Sequence, residues 1–402
     1  MRDEPAVAKP QRHESGPALK ICHVCNGHTV DDGRVFHRAC CELAKAGYEV
    51  HLLATGKGTK TYEDQGVVIH PLSDSESRRQ RYTRASRVAQ LAADLKPDLF
   101  HVHEPDLLGP IIARAGSRPV IYDVHESFLD MLNESRWLPF WAKPFARLAW
   151  DHWERRLVRH CAGIVVVTEP IAKRYARLHP NVRVVANYPD WQSMDNCPPM
   201  TRDAMTCVFA GGLTRDRGLS QVFEAFAILK RRDVEMQLAL AGSGISEDDL
   251  HSLWDEAGRL GISQQVTYHG VLPRNQVMAL QSRSGIGLVT YLPLQYSITG
   301  LPNKLVECMA LGLPVVCSDF PVYREVAGAT GAGILVDPTK PGQIADAIES
   351  LVRNPALAHR MGEAGKAAVR SRFNWQMESE KLLDLYRELV GLPYGNATRC
   401  LS

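Results

Sequence analysis

The 402-residue chain has no apolar run of about 18 residues, and its first seventeen, MRDEPAVAKPQRHESGP, hold no apolar core of the kind an export signal needs. A spanning helix and a leader are therefore not expected, and the chain reads as cytoplasmic, in solution or peripheral to a membrane. Charge of one sign is also scarce. The formal balance is only +2, which supplies no broad positive field for nucleic acid. Residues 1–190 carry 27 Lys and Arg against 23 Asp and Glu, and the rest 20 against 22. That mild asymmetry suits an anionic acceptor or a membrane surface beside the first half.

Two motifs are incomplete. The Gly242-Ser243-Gly244 turn lacks a third glycine and follows a later strand, so it is not a dinucleotide fingerprint and disfavours a nicotinamide dehydrogenase. Cys22-x2-Cys25 with His28 has no second ligand pair at zinc spacing, and no metal is expected. Of the ten cysteines, Cys22, Cys25, Cys40, Cys41, Cys161, Cys207 and Cys317 fall within apolar patterns and read as reduced core residues.

What is present is alternation. Leu19–Cys25 has the pattern of a strand, Gly33–Ala46 that of a helix ended by Gly47, and Val50–Ala54 that of a second strand, which makes an opening βαβ unit and a parallel sheet. Further strands are expected at 67–69, 99–102, 120–122, 163–167 and 182–185. After a Pro-, Asp- and Asn-rich linker over 187–206, a second series follows at 207–210, 237–241, 266–269, 286–289, 314–317 and 334–336. The expected organisation is a disordered tail over 1–17, two α/β domains of Rossmann-like, doubly wound type over 18–190 and 191–374, a helix over 375–391 and a tail over 392–402. In that helix Met377, Leu382, Leu383, Leu385, Tyr386 and Leu389 are the apolar set.

Chemistry concentrates at YSITGLPNKLVECMALGLPVVCS, residues 296–318. Pro302 suits the first turn of a helix to Leu311, and its free amides with Asn303 and Lys304 make a phosphate site, with Glu307 one turn inside to accept hydrogen bonds from a ribose diol. In FAGGLTRDRG, residues 209–218, Gly211 and Gly212 let backbone amides approach a diphosphate and Arg217 adds a cation. In the first half, HVHEPD and YDVHES end adjacent strands and bring His103, Glu104, Asp123, His125 and Glu126 to one sheet edge. WLPFWAKPFARLAW, residues 137–150, interleaves aromatics with Lys143 and Arg147. It fits either a membrane interface or a packed helix, with Pro139 and Pro144 spoiling a clean helical pattern.

The run GLPNKLVECMALGLPVVCSDFPVYREV resembles the donor-site segment of glycosyltransferase family 4, whose members are retaining enzymes of the two-domain GT-B fold. The resemblance extends over about residues 19–390. It implies a glycosyltransferase that uses a nucleotide-sugar co-substrate, in UDP or GDP form, with no further cofactor and no metal. The acceptor would be a glycan, a lipid-linked molecule or a small molecule, in polysaccharide or glycoconjugate synthesis. By the same resemblance His103 lies near the reacting sugar, Arg217 and Lys304 hold the diphosphate, and Glu307 holds the ribose. Gly211, Gly212, Gly242, Val271 and Asn303 line the donor, Val271 through the backbone of the 269–271 loop. Asn26, Glu104, Asp123, His125 and Glu126 are expected toward the acceptor, and the last helix is expected to cross back to the first domain. Two departures stand out: Thr299 occupies the place of the carboxylate that contacts the donor sugar, and Gly212 that of a frequent Arg. A sugar-nucleotide epimerase of the same fold, or a non-catalytic nucleotide-sugar-binding subunit, remains the alternative.

Overall fold

The computed structural model describes residues 18–73, 78–134, 138–195, 202–242 and 247–391. The expected tails, part of the linker, Trp137, Ser243 and Gly244 lie outside these residues. Strands β1 (Lys20–Thr29), β2 (Glu49–Thr55), β3 (Tyr62–Asp64), β4 (Val67–Leu72), β5 (Leu99–Val102), β6 (Val120–Val124), β7 (Gly163–Val166) and β8 (Val182–Val184) form one sheet, in the order β3-β4-β2-β1-β5-β6-β7-β8. Strands β9 (Asp203–Ala210), β10 (Gln237–Ala241), β11 (Val266–Tyr268), β12 (Ser284–Val289), β13 (Val315–Ser318) and β14 (Gly333–Val336) form the other, in the order β11-β10-β9-β12-β13-β14. Neighbours are parallel except β3 against β4. The β3 hairpin escapes sequence reading because all three of its residues are exposed and it carries no apolar alternation.

Each sheet reverses its winding beside its first strand. In the first the chain runs from β1 outward to β2 and β4, then returns to β5 on the other side of β1. In the second it runs from β9 through β10 to β11 and returns to β12. Crevices therefore open beyond the carboxyl ends of β1 and β5, and of β9 and β12, where open α/β sheets bind ligands.

Both central strands are buried on both faces, which explains their continuous apolar character. Cys22 and Cys25 belong to cores on opposite faces of β1, an odd spacing that prevents their sharing an ion. Both thiols are pushed up by burial, and all the cysteines among the described residues are free and buried.

The Trp375–Val390 helix packs on the first sheet, not the second. Trp375, Leu382, Leu385 and Tyr386 share a core with Ile21, Val50, Leu99 and Val165. Met377, expected in the apolar set, is exposed. The buried stripe runs instead through Trp375, Ser379, Leu382, Leu385 and Tyr386, and Met377 lies off that line. Glu378 is buried in that helix and accepts a hydrogen bond from the Ala186 amide (2.7 Å), fixing the end of the first domain.

Candidate active site

Glycine geometry builds the second crevice. Gly242 has φ of +148°, and a Cβ there would fall 1.7 Å from the Gly211 carbonyl oxygen, so only glycine lets these two loops touch. Gly218, with φ of +79°, is equally constrained: its Cβ would fall 2.0 Å from the Thr290 oxygen. That tight seat starts the Leu219–Arg231 helix beneath the end of β12 and lays the Arg217 guanidinium over the Tyr291 ring at 4.1 Å. Lys304 comes to the same place from the Asn303–Ala310 helix, its side chain passing beside Gly211. A side chain at Gly212 would be directed toward Arg217, so the glycine leaves room beside that guanidinium.

Glu307 is buried one turn inside that helix, with Lys304 Nζ 2.9 Å from its Oε2 and Arg274 4.0 Å from its Oε1. Burial pushes its carboxyl up, but Lys304, Arg274 and Arg38 outweigh burial and hold it below the usual range. Arg38 arrives from the first domain, anchored on the carbonyls of Gly33 and Tyr188, and burial together with Arg274 brings it down to about 10. Sequence reasoning missed Arg38 and Arg274. Neither lies in a motif: Arg38 reaches Glu307 only because the first domain folds against the second, and Arg274 reaches it from the start of the Arg274–Arg283 helix within the second domain.

Around this centre Asn303 is part-exposed at the helix start. Val271 is exposed in a loop tied to Gly242 through the Gly242 N–H to Gly270 carbonyl bond (2.9 Å). Thr299 donates its hydroxyl to the Gln295 carbonyl (3.0 Å), and its own carbonyl accepts from the Thr168 hydroxyl of the first domain (2.8 Å). Asp216 is hydrogen-bonded to the Tyr296 hydroxyl, which braces the loop carrying Arg217.

The first-domain edge requires corrections. Glu104, expected toward the acceptor, is buried and accepts from the backbone amides of Asn26, Gly27 and His28 at 2.9, 2.8 and 3.0 Å. Asn26 is fully buried, donating to the Arg81 carbonyl and Asp106 and accepting from Arg84. Asp123 is buried against the Arg34 guanidinium at 3.0 Å. These three side chains hold the carboxyl end of β1 and the loop that follows it in place, because buried amides and a buried guanidinium demand partners.

His103 is corrected as well. It is 3% exposed, and both its ring nitrogens are engaged, by His23 (2.9 Å) and His125 (3.1 Å), so it lies beneath the cleft floor. The imidazole that reaches the cleft is His125, whose side chain is 19% exposed, and Glu126 stands exposed beside it. The protein around Glu126 pushes its carboxyl up, while Arg217 across the cleft and His28 work the other way. His28, considered from sequence only as a metal ligand, packs against His125 with its ring tilted and the ring centres 4.6 Å apart. Burial disfavours its charge, but Asp32 at 3.1 Å and Glu104 at 3.8 Å more than compensate and raise its pKa.

Two groups, His23 with His101 and His103, and His103 with Asp123 and His125, place ligand atoms within 4.8 Å of one another. Imidazole hydrogen bonds account for their closeness, and Arg34 on Asp123 opposes a further cation there.

Known proteins resemble this chain in sequence and fold. The family described as "Glycosyltransferase Family 4" matches residues 33–190, and that described as "Glycosyl transferases group 1" matches residues 201–368. The chain belongs to glycosyltransferase family 4. This transferase is 25% identical over 294 residues to an alpha-D-kanosaminyltransferase of Streptomyces kanamyceticus, covering 69% of this chain and 73% of that one. It is 27% identical over 313 residues to the phosphatidyl-myo-inositol mannosyltransferase of Mycobacterium leprae, covering 76% and 77%. The solved sucrose-phosphate synthase of Thermosynechococcus elongatus superposes with a TM-score of 0.73 at 17% identity, over 92% of this chain and 99% of that one. The fold is GT-B, and membership of transferase families does not favour the epimerase alternative.

Proposed function

We propose that the transferase moves a hexose from a nucleoside-diphosphate sugar, in UDP or GDP form, to a glycan or lipid-linked acceptor with retention at the anomeric carbon. The observation that carries this reading is the charge around Glu307. Lys304, Arg274 and Arg38 face a single carboxylate, with Arg217 alongside over Tyr291. Such an excess of cation beside helix amides suits a diphosphate, and the diphosphate takes up negative charge as the glycosidic bond breaks. Arg217 and Lys304 would carry that charge without a metal, and Glu307 would accept from the ribose hydroxyls. His125 and Glu126 would orient the acceptor hydroxyl from the opposite wall. Retention would follow a same-face course, the leaving phosphate taking the acceptor proton.

The acceptor reading draws on the segment beyond β6. Phe140, Trp141, Phe145 and Leu148 are exposed by 84, 66, 73 and 71%. Pro144 begins the Lys143–Val158 helix and does not interrupt it, and Arg155, Arg156 and Arg159 are exposed toward its other end. Trp150, by contrast, is part-buried and packs on Phe128, with ring centres 3.9 Å apart. A continuous aromatic surface with cations beside it fits the interface of an anionic membrane. No helix among the described residues is long and apolar enough to cross one. The phosphatidyl-myo-inositol named for the mycobacterial relative is a lipid acceptor of that kind.

Thr299 bears on the donor. A hydroxyl accepts hydrogen bonds from a sugar less strongly than a carboxylate does, and that of Thr299 is already donated to Gln295. The preferred donor would then carry an amide or other substituent, or no hydroxyl, at the facing carbon. A transfer assay with paired plain and modified UDP- and GDP-sugars, reading the anomeric configuration of the product by NMR, tests the whole proposal. Transfer with retention, and a preference for the modified sugar that Thr299→Glu reverses, is expected. Inversion, or a new nucleotide sugar made without acceptor, refutes the reaction, whereas a plain-sugar preference untouched by Thr299→Glu refutes the role of Thr299 alone.

A further inference from the structure

A continuous hydrogen-bonded chain runs from the cleft to the C-terminal helix. His125 Nε2 lies 3.1 Å from His103 Nδ1, and His103 Nε2 lies 2.9 Å from His23 Nδ1. His23 Nε2 lies 3.2 Å from the Tyr386 hydroxyl, which lies 2.5 Å from His101 Nδ1. His101 Nε2 ends the chain without a hydrogen-bond partner, though fully buried. Burial is the largest influence on each of the four imidazoles and lowers all of them, so each is neutral, with one N–H and one lone pair.

Such a chain has two consistent senses. In one, every histidine carries its proton on Nε2, Tyr386 donates to His101, and a lone pair is left on His125 Nδ1. In the other every proton is on Nδ1, Tyr386 donates to His23, and His125 presents an N–H. Two independent features select the first. Asp123 Oδ2 lies 3.6 Å from His101 Nε2, His125 Nε2 and His103 Nδ1. In the first sense two N–H groups and one lone pair face that carboxylate, and in the second one N–H and two lone pairs. Arg34 keeps Asp123 ionised without blocking these contacts. The hydroxyl distances agree, since an O–H donor makes the shorter bond and Tyr386 is closer to His101 than to His23.

We propose that Tyr386 is a positioning residue which, through His23 and His103, holds His125 in its Nε2–H form and so leaves the Nδ1 lone pair to accept a hydrogen bond from a sugar hydroxyl in the cleft. His28, whose ring packs tilted against His125, brings Asp32 and Glu104 close to that imidazole. The helix that crosses back thus sets the protonation pattern of a cleft residue, and which nitrogen of a histidine carries the proton is decided by the partner of the other.

The role in transfer rests on the function proposed above, but the tautomers do not, which keeps the two separable. Long-range nitrogen–proton NMR of the full chain labelled with 15N-histidine should show His23, His101, His103 and His125 as Nε2–H forms. Tyr386→Phe should give mixed tautomers at His125 and lower kcat by about tenfold with little change in donor KM. His101→Phe removes the acceptor of the Tyr386 proton and should turn the chain round, placing the His125 proton on Nδ1. An Nδ1–H form at His125 in the wild type, or an unaltered His125 in both variants, overturns the proposal. The wild-type spectrum decides the sense of the chain even where a variant does not fold. Absent transfer activity with the expected tautomers would reject the function and leave the relay standing.

Discussion

Lys304 Nζ lies 2.9 Å from Oε2 of Glu307, so the cation proposed for the diphosphate and the carboxylate proposed for the ribose are paired one turn apart on one helix. Their roles separate by ligand. Glu307→Ala should raise the Kd of the preferred nucleoside diphosphate by tenfold or more, about 1.5 to 3 kcal/mol for a lost charged hydrogen bond. Inorganic pyrophosphate, which has no ribose, should bind as well or better once the negative charge is gone. Calorimetry with both ligands checks this, and an unchanged nucleotide Kd removes Glu307 from the site.

Arg217 and Lys304 approach the diphosphate position from different elements, the turn after β9 and the Asn303–Ala310 helix. Leaving-group charge grows toward the transition state, so Arg217→Ala or Lys304→Ala should lower kcat by about a hundredfold and change KM less. Steady-state kinetics of each variant is the measurement. Normal kcat in both would contradict the shared role.

The aromatic and basic surface over residues 140–159 should bind vesicles containing anionic lipid and release them as salt rises, because screening weakens the cations. Trp141→Ser with Phe145→Ser should abolish sedimentation with the vesicles at any salt. The fold should survive, since both side chains are exposed. Wild-type protein that stays in the supernatant at low salt disposes of the membrane reading.

His28 gives a signed pH dependence. Its pKa in the folded chain is raised: burial opposes its charge, but Asp32 and Glu104 favour it more. The stabilisation is therefore fully present below the ordinary histidine value of about 6.5 and is lost as pH rises through the higher folded value. Wild type should melt above His28→Gln in mildly acidic buffer, and the gap should shrink as pH rises through that range. A gap that widens with pH would reverse the assignment.

The sequence by itself determined the elements and their class. Strand positions such as 99–102 and 237–241 were legible because central parallel strands are buried on both faces and read as short apolar runs. The Gly211-Gly212 loop after a strand and the carboxylate of Glu307 one turn inside a helix were legible as features, since each lies within one local stretch. Tertiary structure alone decided which polar residues face the cleft. HVHEPD and YDVHES look alike as strand ends, yet Glu104 and Asp123 turn inward to satisfy buried amides and Arg34, while His125 and Glu126 turn out. Arg38 and Tyr386 lie outside every motif and enter only because the second domain meets the first and the last helix crosses back, while Arg274 reaches Glu307 from within the second domain. Local pattern fixes which face of an element is apolar. Only the packed arrangement fixes which partner a buried charge finds, because that partner can stand hundreds of residues away.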